Sequence, residues 1–148
     1  MSNYADETWA DTYFSTKLNV EPWTDADSGD KTKALTMATE AIDRLNYLGT
    51  MTDPDQENQF PRDADIIVPV DIQKACAEIA LKLLDGVDPD NEFEQLAMVS
   101  QGYSNVRSTY DRSTPLPHLV AGIVSITAWR YLKPYLRDER VMRIDRVS

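Results

Sequence analysis

Val68-Pro69-Val70-Asp71-Ile72-Gln73-Lys74-Ala75-Cys76-Ala77-Glu78-Ile79-Ala80-Leu81-Lys82-Leu83-Leu84 is the stretch that decides the fold. Ile72, Ala75, Cys76, Ile79, Ala80, Leu81, Leu83 and Leu84 recur at helical spacing and cover most of the circumference of a helix over Asp71–Leu84. A helix that is apolar nearly all round lies at the centre of its own fold or is covered by a neighbouring subunit. Pro69 stands just ahead of it, a position that tolerates a missing N–H. Gly86 ends it.

Upstream runs a polar loop, Thr50–Val68, which contains Asp53, Asp55 and Glu57 and closes on Gln59-Phe60-Pro61-Arg62. It exceeds the usual connection of roughly four to six residues, and long loops in compact domains tend to carry function. Before it a helix over Lys31–Leu48 is predicted, capped by Ser28 or Asp30. Its core face is Ala34, Leu35, Ala38, Ala41, Ile42 and Leu45, and Gly49 supplies its left-handed end. A first helix spans Tyr4–Leu18, with Trp9, Tyr13, Ala10, Phe14 and Leu18 as its stripe. Asn19–Gly29 is a loop anchored by burial of Trp23.

Downstream, Asp88–Glu94 is an acidic connector, with a short helix through Glu92–Val99. Gln101–Tyr110 alternates at Val106, Ser108 and Tyr110 and reads as a small β-hairpin or extended arm. Pro115 and Pro117 open a further helix to about Lys133, striped by Leu119, Val120, Ile123, Val124, Thr127, Tyr131 and Leu132; Pro134 closes it. The fold class is therefore mainly α: a compact bundle of about four helices, the small hairpin or arm, and an extended C-terminal tail. Residues 1–136 form the helical domain and 137–148 the tail.

The 148 residues, 42% of them hydrophobic, suffice for one domain with a real core. The formal net charge is −10 and is uneven. Residues 1–99 hold 7 Lys+Arg against 21 Asp+Glu; residues 100–148 hold 8 against 4. The acidic part should be soluble and repel nucleic acid, whereas a general phosphate binder needs the opposite balance. Cys76 is the single cysteine, so no intrachain disulfide can form, and a reducing compartment is expected. The first residues have no signal-peptide pattern, and no apolar run approaches the roughly 20 residues of a membrane helix.

No catalytic, cofactor-binding or metal-binding set emerges. Asp53-x-Asp55-x-Glu57 resembles the start of a calcium loop, but Asn58 and Ala64 occupy the positions that need glycine and glutamate. The acids at 25–30 and 88–92 fail in the same way, so solvated loop charge accounts for all three. With His118 as the one histidine and Cys76 as the one cysteine, no standard zinc set can be built within a chain. The chain holds no Gly-x-Ser-x-Gly elbow and no Gly-rich phosphate loop. The expectation is a protein that is not an enzyme and takes no cofactor.

The tail is the sharper feature. Arg137, Arg140, Arg143 and Arg146 recur every third residue, and so do Val141, Ile144 and Val147. A three-per-turn extended path keeps each set aligned. Arginines suit carboxylate pairing on an acidic protein. Arg137, Arg140, Val141, Met142, Arg143, Ile144 and Arg146 are therefore read as a docking tail. Asp53, Asp55, Gln59, Phe60 and Arg62 are read as a contact loop for a neighbouring subunit or another partner protein.

The ordered set of signals resembles the head–tail connector (adaptor, head-completion) proteins of tailed bacteriophages, within them the DnaT-like group. The resembling residues run through Ala10-Asp11-Thr12-Tyr13-Phe14, Trp23, Lys33-Ala34-Leu35 and Leu45-Asn46-Tyr47. They continue through Gln59-Phe60-Pro61-Arg62, Val68-Pro69, Ala75-Cys76, Ile79-Ala80, the Gly102–Tyr110 segment and Leu132-Lys133-Pro134-Tyr135-Leu136, across about residues 4–136. The resemblance implies a structural virion protein, assembled in host cytoplasm and resident at the head–tail junction. It implies a ring, usually of twelve copies, that bridges portal and neck or tail proteins. DNA would pass through its channel without specific binding, and the C-terminal tail would dock on portal. The alternative is a replication accessory protein that binds single-stranded DNA, for which a basic groove with stacking aromatics is needed.

Overall fold

A computed structural model of the protein describes residues 2–92, 94 and 117–137. Among these residues the protein is mainly helical, with two isolated bridges and no strand. Helix α1, Glu7–Phe14, starts at Asp6, whose carboxylate accepts the Trp9 N–H at 2.7 Å. It is shorter than the expected Tyr4–Leu18. Tyr4 and Ala5 lie ahead of the cap yet inside the core, and Leu18 is 89% exposed, so the buried stripe ends at Phe14. A single turn, α2 (Glu21–Thr24), interrupts the predicted loop and buries Trp23 as expected.

Helix α3 spans Ser28–Asp43, and its cap is Asp27, which accepts the Asp30 N–H at 2.8 Å; neither Ser28 nor Asp30 plays that part. It stops five residues short of Leu48. The cause is tertiary: Tyr47 turns into the core and donates its hydroxyl to the Ile42 carbonyl at 2.6 Å, satisfying one of the acceptors a helix end leaves open. Tyr47 then forms an antiparallel bridge with Leu136, through Leu48 N–H to Tyr135 O at 2.9 Å and Arg137 N–H to Asn46 O at 3.0 Å.

Helix α4, Val70–Leu84, is the centre of the fold. It buries Ile72, Ala75, Cys76, Ala77, Ile79 and Ala80 and packs against α1, α2, α3 and the last helix. Those six residues are covered by the helix's own chain, as a central helix requires, while Leu81, Leu83 and Leu84 stay half-buried. Cys76 sits 3.5 Å from the Thr39 hydroxyl, and burial pushes its thiol up, away from the reactive thiolate. Gly86 closes the helix: its N–H bonds Leu83 O, and Val87 N–H bonds Lys82 O, both at 3.1 Å. Residues 89–92 are helical.

The predicted helix from Pro117 to Lys133 is two helices. Helix α5 (Pro117–Val120) ends at Gly122, whose φ is +83°; Ile123 and Val124 enter the core, and Ser125 caps α6 (Ile126–Leu132) by accepting the Ala128 N–H at 3.1 Å. A 3-10 turn, Lys133–Tyr135, follows. Gln101–Tyr110 and the tail beyond Arg137 lie outside the described residues.

Gly49 keeps its left-handed φ of +76°, but it serves the loop rather than a helix end. A Cβ there would overlap the Asp63 carboxylate, which accepts the Thr50 N–H at 3.1 Å. Gly49→Ala is expected to cost about 2 kcal/mol or more, from the left-handed backbone and the displaced carboxylate. Gly86→Ala, at φ +87° with open space around it, should cost only about 1–2 kcal/mol. Urea midpoints of the two variants check the ordering.

Candidate functional site

The loop between α3 and α4 is built from the core outward. Phe60 is 4% exposed and meets three rings edge-on: Tyr47 at 4.7 Å, Tyr135 at 5.7 Å and Tyr4 at 6.1 Å between centroids. The Tyr4 hydroxyl donates to Asp43 Oδ1 and accepts the Phe60 N–H at 3.2 Å; the same carboxylate oxygen accepts the Gln59 N–H at 3.1 Å. One carboxylate at the end of α3 therefore ties the N-terminal segment to the loop. Burial pushes the Tyr4 and Tyr47 hydroxyls up, so both stay protonated donors.

Arg62 holds the neck of the loop. Its guanidinium donates to Leu48 O (2.9 Å), Gly49 O (2.7 Å), and Gln59 O and Oε1 (3.2 and 2.9 Å). Met51 and Arg62 form a bridge, with Thr52 N–H to Pro61 O at 3.1 Å and Asp63 N–H to Thr50 O at 2.8 Å. At the tip, Asp53 Oδ1 accepts the Asp55 N–H at 2.9 Å, and Gln56 Nε2 donates to Asn58 O and Pro61 O. These bonds occupy backbone groups that would otherwise need water, so the loop is a formed surface.

The five loop residues expected to make contacts separate into two groups. Asp53 and Asp55 are exposed at the tip, while Gln59 and Arg62 are half-buried. Phe60 is a correction: it is a core anchor and cannot face a partner, because its ring is spent on the tyrosine cluster. Arg62 likewise directs its guanidinium at the loop's own carbonyls. The sequence reading missed Ile66 and Ile67, which are 91% and 77% exposed. Two adjacent aliphatics in a polar, acid-rich loop were the available signal, and pairs like this mark contact surfaces more readily than isolated exposed residues do. Of the predicted tail, Arg137 is exposed with its backbone tied to Asn46; Arg140, Val141, Met142, Arg143, Ile144 and Arg146 lie outside the described residues.

Asp43 links this site to pH. Burial raises its carboxyl above the ordinary 3.8, although the bonds from Tyr4 and Gln59 pull the other way. A carboxyl raised in the folded state takes up its proton more readily there than when unfolded. Its contribution to stability is therefore fully present below pH 3.8 and is lost as pH rises through the folded-state titration. The expected result is an Asp43 carboxyl carbon that titrates above 3.8 in NMR, and an Asp43→Asn variant whose stability changes less with pH across that window.

A second surface lies where α1, α4 and α6 meet. Trp9 and Tyr13, both half-buried, stack at 5.4 Å; the Lys17 ammonium lies 4.9 Å from the Tyr13 centroid and Lys74 lies 5.7 Å from that of Tyr131. Glu78 sits among them and accepts the Tyr13 hydroxyl at 2.7 Å. His118 is half-buried, and burial lowers its tendency to protonate. Among the described residues no group of three His, Cys, Asp or Glu side chains could hold a metal ion, and no helix is long and apolar enough to cross a membrane.

No curated protein and no solved structure matches the chain. One family does, over residues 2–146, under the description "Putative DnaT-like ssDNA binding protein". That span takes in α1 to α6, the stapled loop and most of the tail. The chain belongs to this DnaT-like family.

Proposed function

We propose that the protein is a structural assembly subunit: a ring adaptor at the head–tail junction of a tailed phage, set between portal and neck proteins and continuing the DNA channel. The observation that carries this reading is the loop Thr50–Val68. It is braced internally by Phe60 and Arg62 and presents Ile66 and Ile67 to the outside. A preformed loop with exposed aliphatics meets a partner at low ordering cost. The charge supports it as well. With 21 Asp+Glu against 7 Lys+Arg in residues 1–99, the surface is suited to let DNA pass without gripping it. The sequence resemblance to connector proteins supports the same reading, under which the protein would reside in the virion after assembly in host cytoplasm.

A second reading is favoured directly by the family description: binding of single-stranded DNA. Its surface would be the Trp9–Tyr13 stack with Lys17, Lys74 and Tyr131, since bases stack on aromatic faces beside cations. Against it, Tyr13 and Tyr131 are half-buried, and Glu78 places a carboxylate among them. Fluorescence anisotropy of a labelled oligothymidylate, with the full-length protein at moderate salt, separates the two. The adaptor reading expects no saturable binding. Saturable binding that Trp9→Ala and Lys74→Glu abolish would establish the second reading instead.

A further inference from the structure

Three buried side-chain oxygens have no hydrogen-bond donor among the described residues: Asn3 Oδ1, Asp43 Oδ2 and Asn58 Oδ1. Folded proteins leave few such atoms, and each calls for a bridging water, an ion or a functional reason. The three residues belong to one closed circuit. Asn58 Nδ2 donates to Ser2 O at 2.6 Å, and Ser2 leads through Asn3 to Tyr4. The Tyr4 hydroxyl donates to Asp43 Oδ1, and that oxygen also accepts, at 3.1 Å, the N–H of Gln59, the residue after Asn58. The circuit joins the N-terminal segment, the end of α3 and the loop.

Neighbouring groups fix the chemistry of the three oxygens. The Thr36 hydroxyl gives its one proton to Thr32 O at 3.0 Å, so it can only accept the bond from Asn3 Nδ2 at 3.2 Å. Ser2 O is a carbonyl and can only accept from Asn58. Both amides are therefore held with the nitrogen engaged and the oxygen free, and turning either around would set two acceptors against each other. Asp43 Oδ1 takes both donors and leaves Oδ2 with none. Among the described residues no Lys or Arg pairs with Asp43; the ion pair found there is Lys31 with Asp11. The set is one carboxylate and two amide oxygens, all acceptors. A single water donates two hydrogen bonds and cannot serve three acceptors, whereas a cation can. Carboxylate and Asn oxygens are ligands of hard cations. Calcium takes both in flexible geometry, while magnesium holds on to several waters and suits oxygens sealed from solvent less well.

We propose that this circuit binds a hard metal cation of calcium or sodium size, held by Asp43 Oδ2 and the side-chain oxygens of Asn3 and Asn58. The site goes beyond the assembly reading and does not rest on it. It corrects the expectation that no metal-binding set exists. Two of the three ligands are amides, and all three residues are far apart in the chain, so spacing gave no sign of them. The ion fastens the N-terminal segment and the loop to α3, adding to the anchors at Phe60 and Arg62. With a single carboxylate the affinity for calcium falls at the weak end, about 0.1–1 mM.

Titration of the full-length protein tests it. The protein is freed of metal with chelator, held at constant ionic strength with choline chloride, and titrated with CaCl2 and separately with NaCl. At least one salt should raise Tm saturably, and which one does so identifies the ion. In the wild-type protein the Asn3 and Asn58 side-chain NH2 signals should move in NMR with the same midpoint, a readout that needs no variant. Asn3→Ala and Asn58→Ala should each weaken binding by at least the roughly tenfold that loss of even an outer-shell partner costs. Asp25→Asn, an exposed acid elsewhere, should leave it unchanged. No saturable response to either salt would overturn the proposal and leave the three oxygens to water or to a proton on Asp43. A response that both alanine variants keep, or that spares both amide signals, would place the ion on the exposed acids and overturn it as well.

Discussion

Replacing Phe60 by alanine is expected to lower folding stability by about 3–5 kcal/mol, the usual cost of removing a fully buried aromatic side chain. Three tyrosine rings lose their common partner at once: Tyr4, Tyr47 and Tyr135 all stand edge-on to Phe60. The effect should be local as well as global. Phe60 is what fastens the loop to the core, so the Thr52 and Asp63 amides, bonded to Pro61 O and Thr50 O, should lose hydrogen-exchange protection first. Urea unfolding followed by circular dichroism measures the global term, and exchange at those two amides the local one. A stable Phe60→Ala variant with full protection at both would mean the ring is not the loop's anchor.

Trp23→Ala should cost a similar amount, about 3–5 kcal/mol. The indole is 2% exposed and packs against Phe14 at 5.3 Å, with the Lys31 ammonium 5.1 Å from its centroid. Its Nε1–H also donates to Asp11 at 2.8 Å, and Asp11 in turn pairs with Lys31 at 3.5 Å. Trp23→Phe keeps most of the packing and loses that bond, so it should cost about 1.5–3 kcal/mol, the scale of a hydrogen bond to a charged group. Thermal melts of the two variants separate packing from the polar link. Equal losses would place the whole effect on the hydrogen bond.

Much of the fold was legible before any coordinates. The apolar circumference of Val70–Leu84 marked the central helix, Ala34, Leu35, Ala38 and Ile42 marked the buried face of α3, and Trp23 announced its own burial. The misreadings lie mostly at helix ends, where a cap, a left-handed residue or a side chain turning inward overrides the spacing. Helical spacing continues through Leu45 and Leu48, yet α3 stops because a hydroxyl four residues on from Asp43 takes the Ile42 carbonyl. The stripe from Leu119 to Leu132 likewise reads as one helix, and only the left-handed Gly122 and the Ser125 cap split it. The site was legible in position but not in detail. The loop stood out by length, but a phenylalanine in a polar loop looks like a contact residue until three tyrosines are seen around it. An Ile-Ile pair leading into Val68-Pro69 looks like the start of a core element until both side chains are found outside. The acidic balance was plain from composition.

The account's central claim is that this surface exists to meet proteins. The most direct test is the native mass of the full-length protein by light scattering, alone and mixed with purified portal. The account predicts a fixed multiple of the 16.8 kDa chain, formed alone or on portal, and its loss in an Ile66→Asp, Ile67→Asp variant that keeps its helical content. A 16.8 kDa monomer at every concentration, unchanged by portal and shifted only by single-stranded DNA, would contradict it.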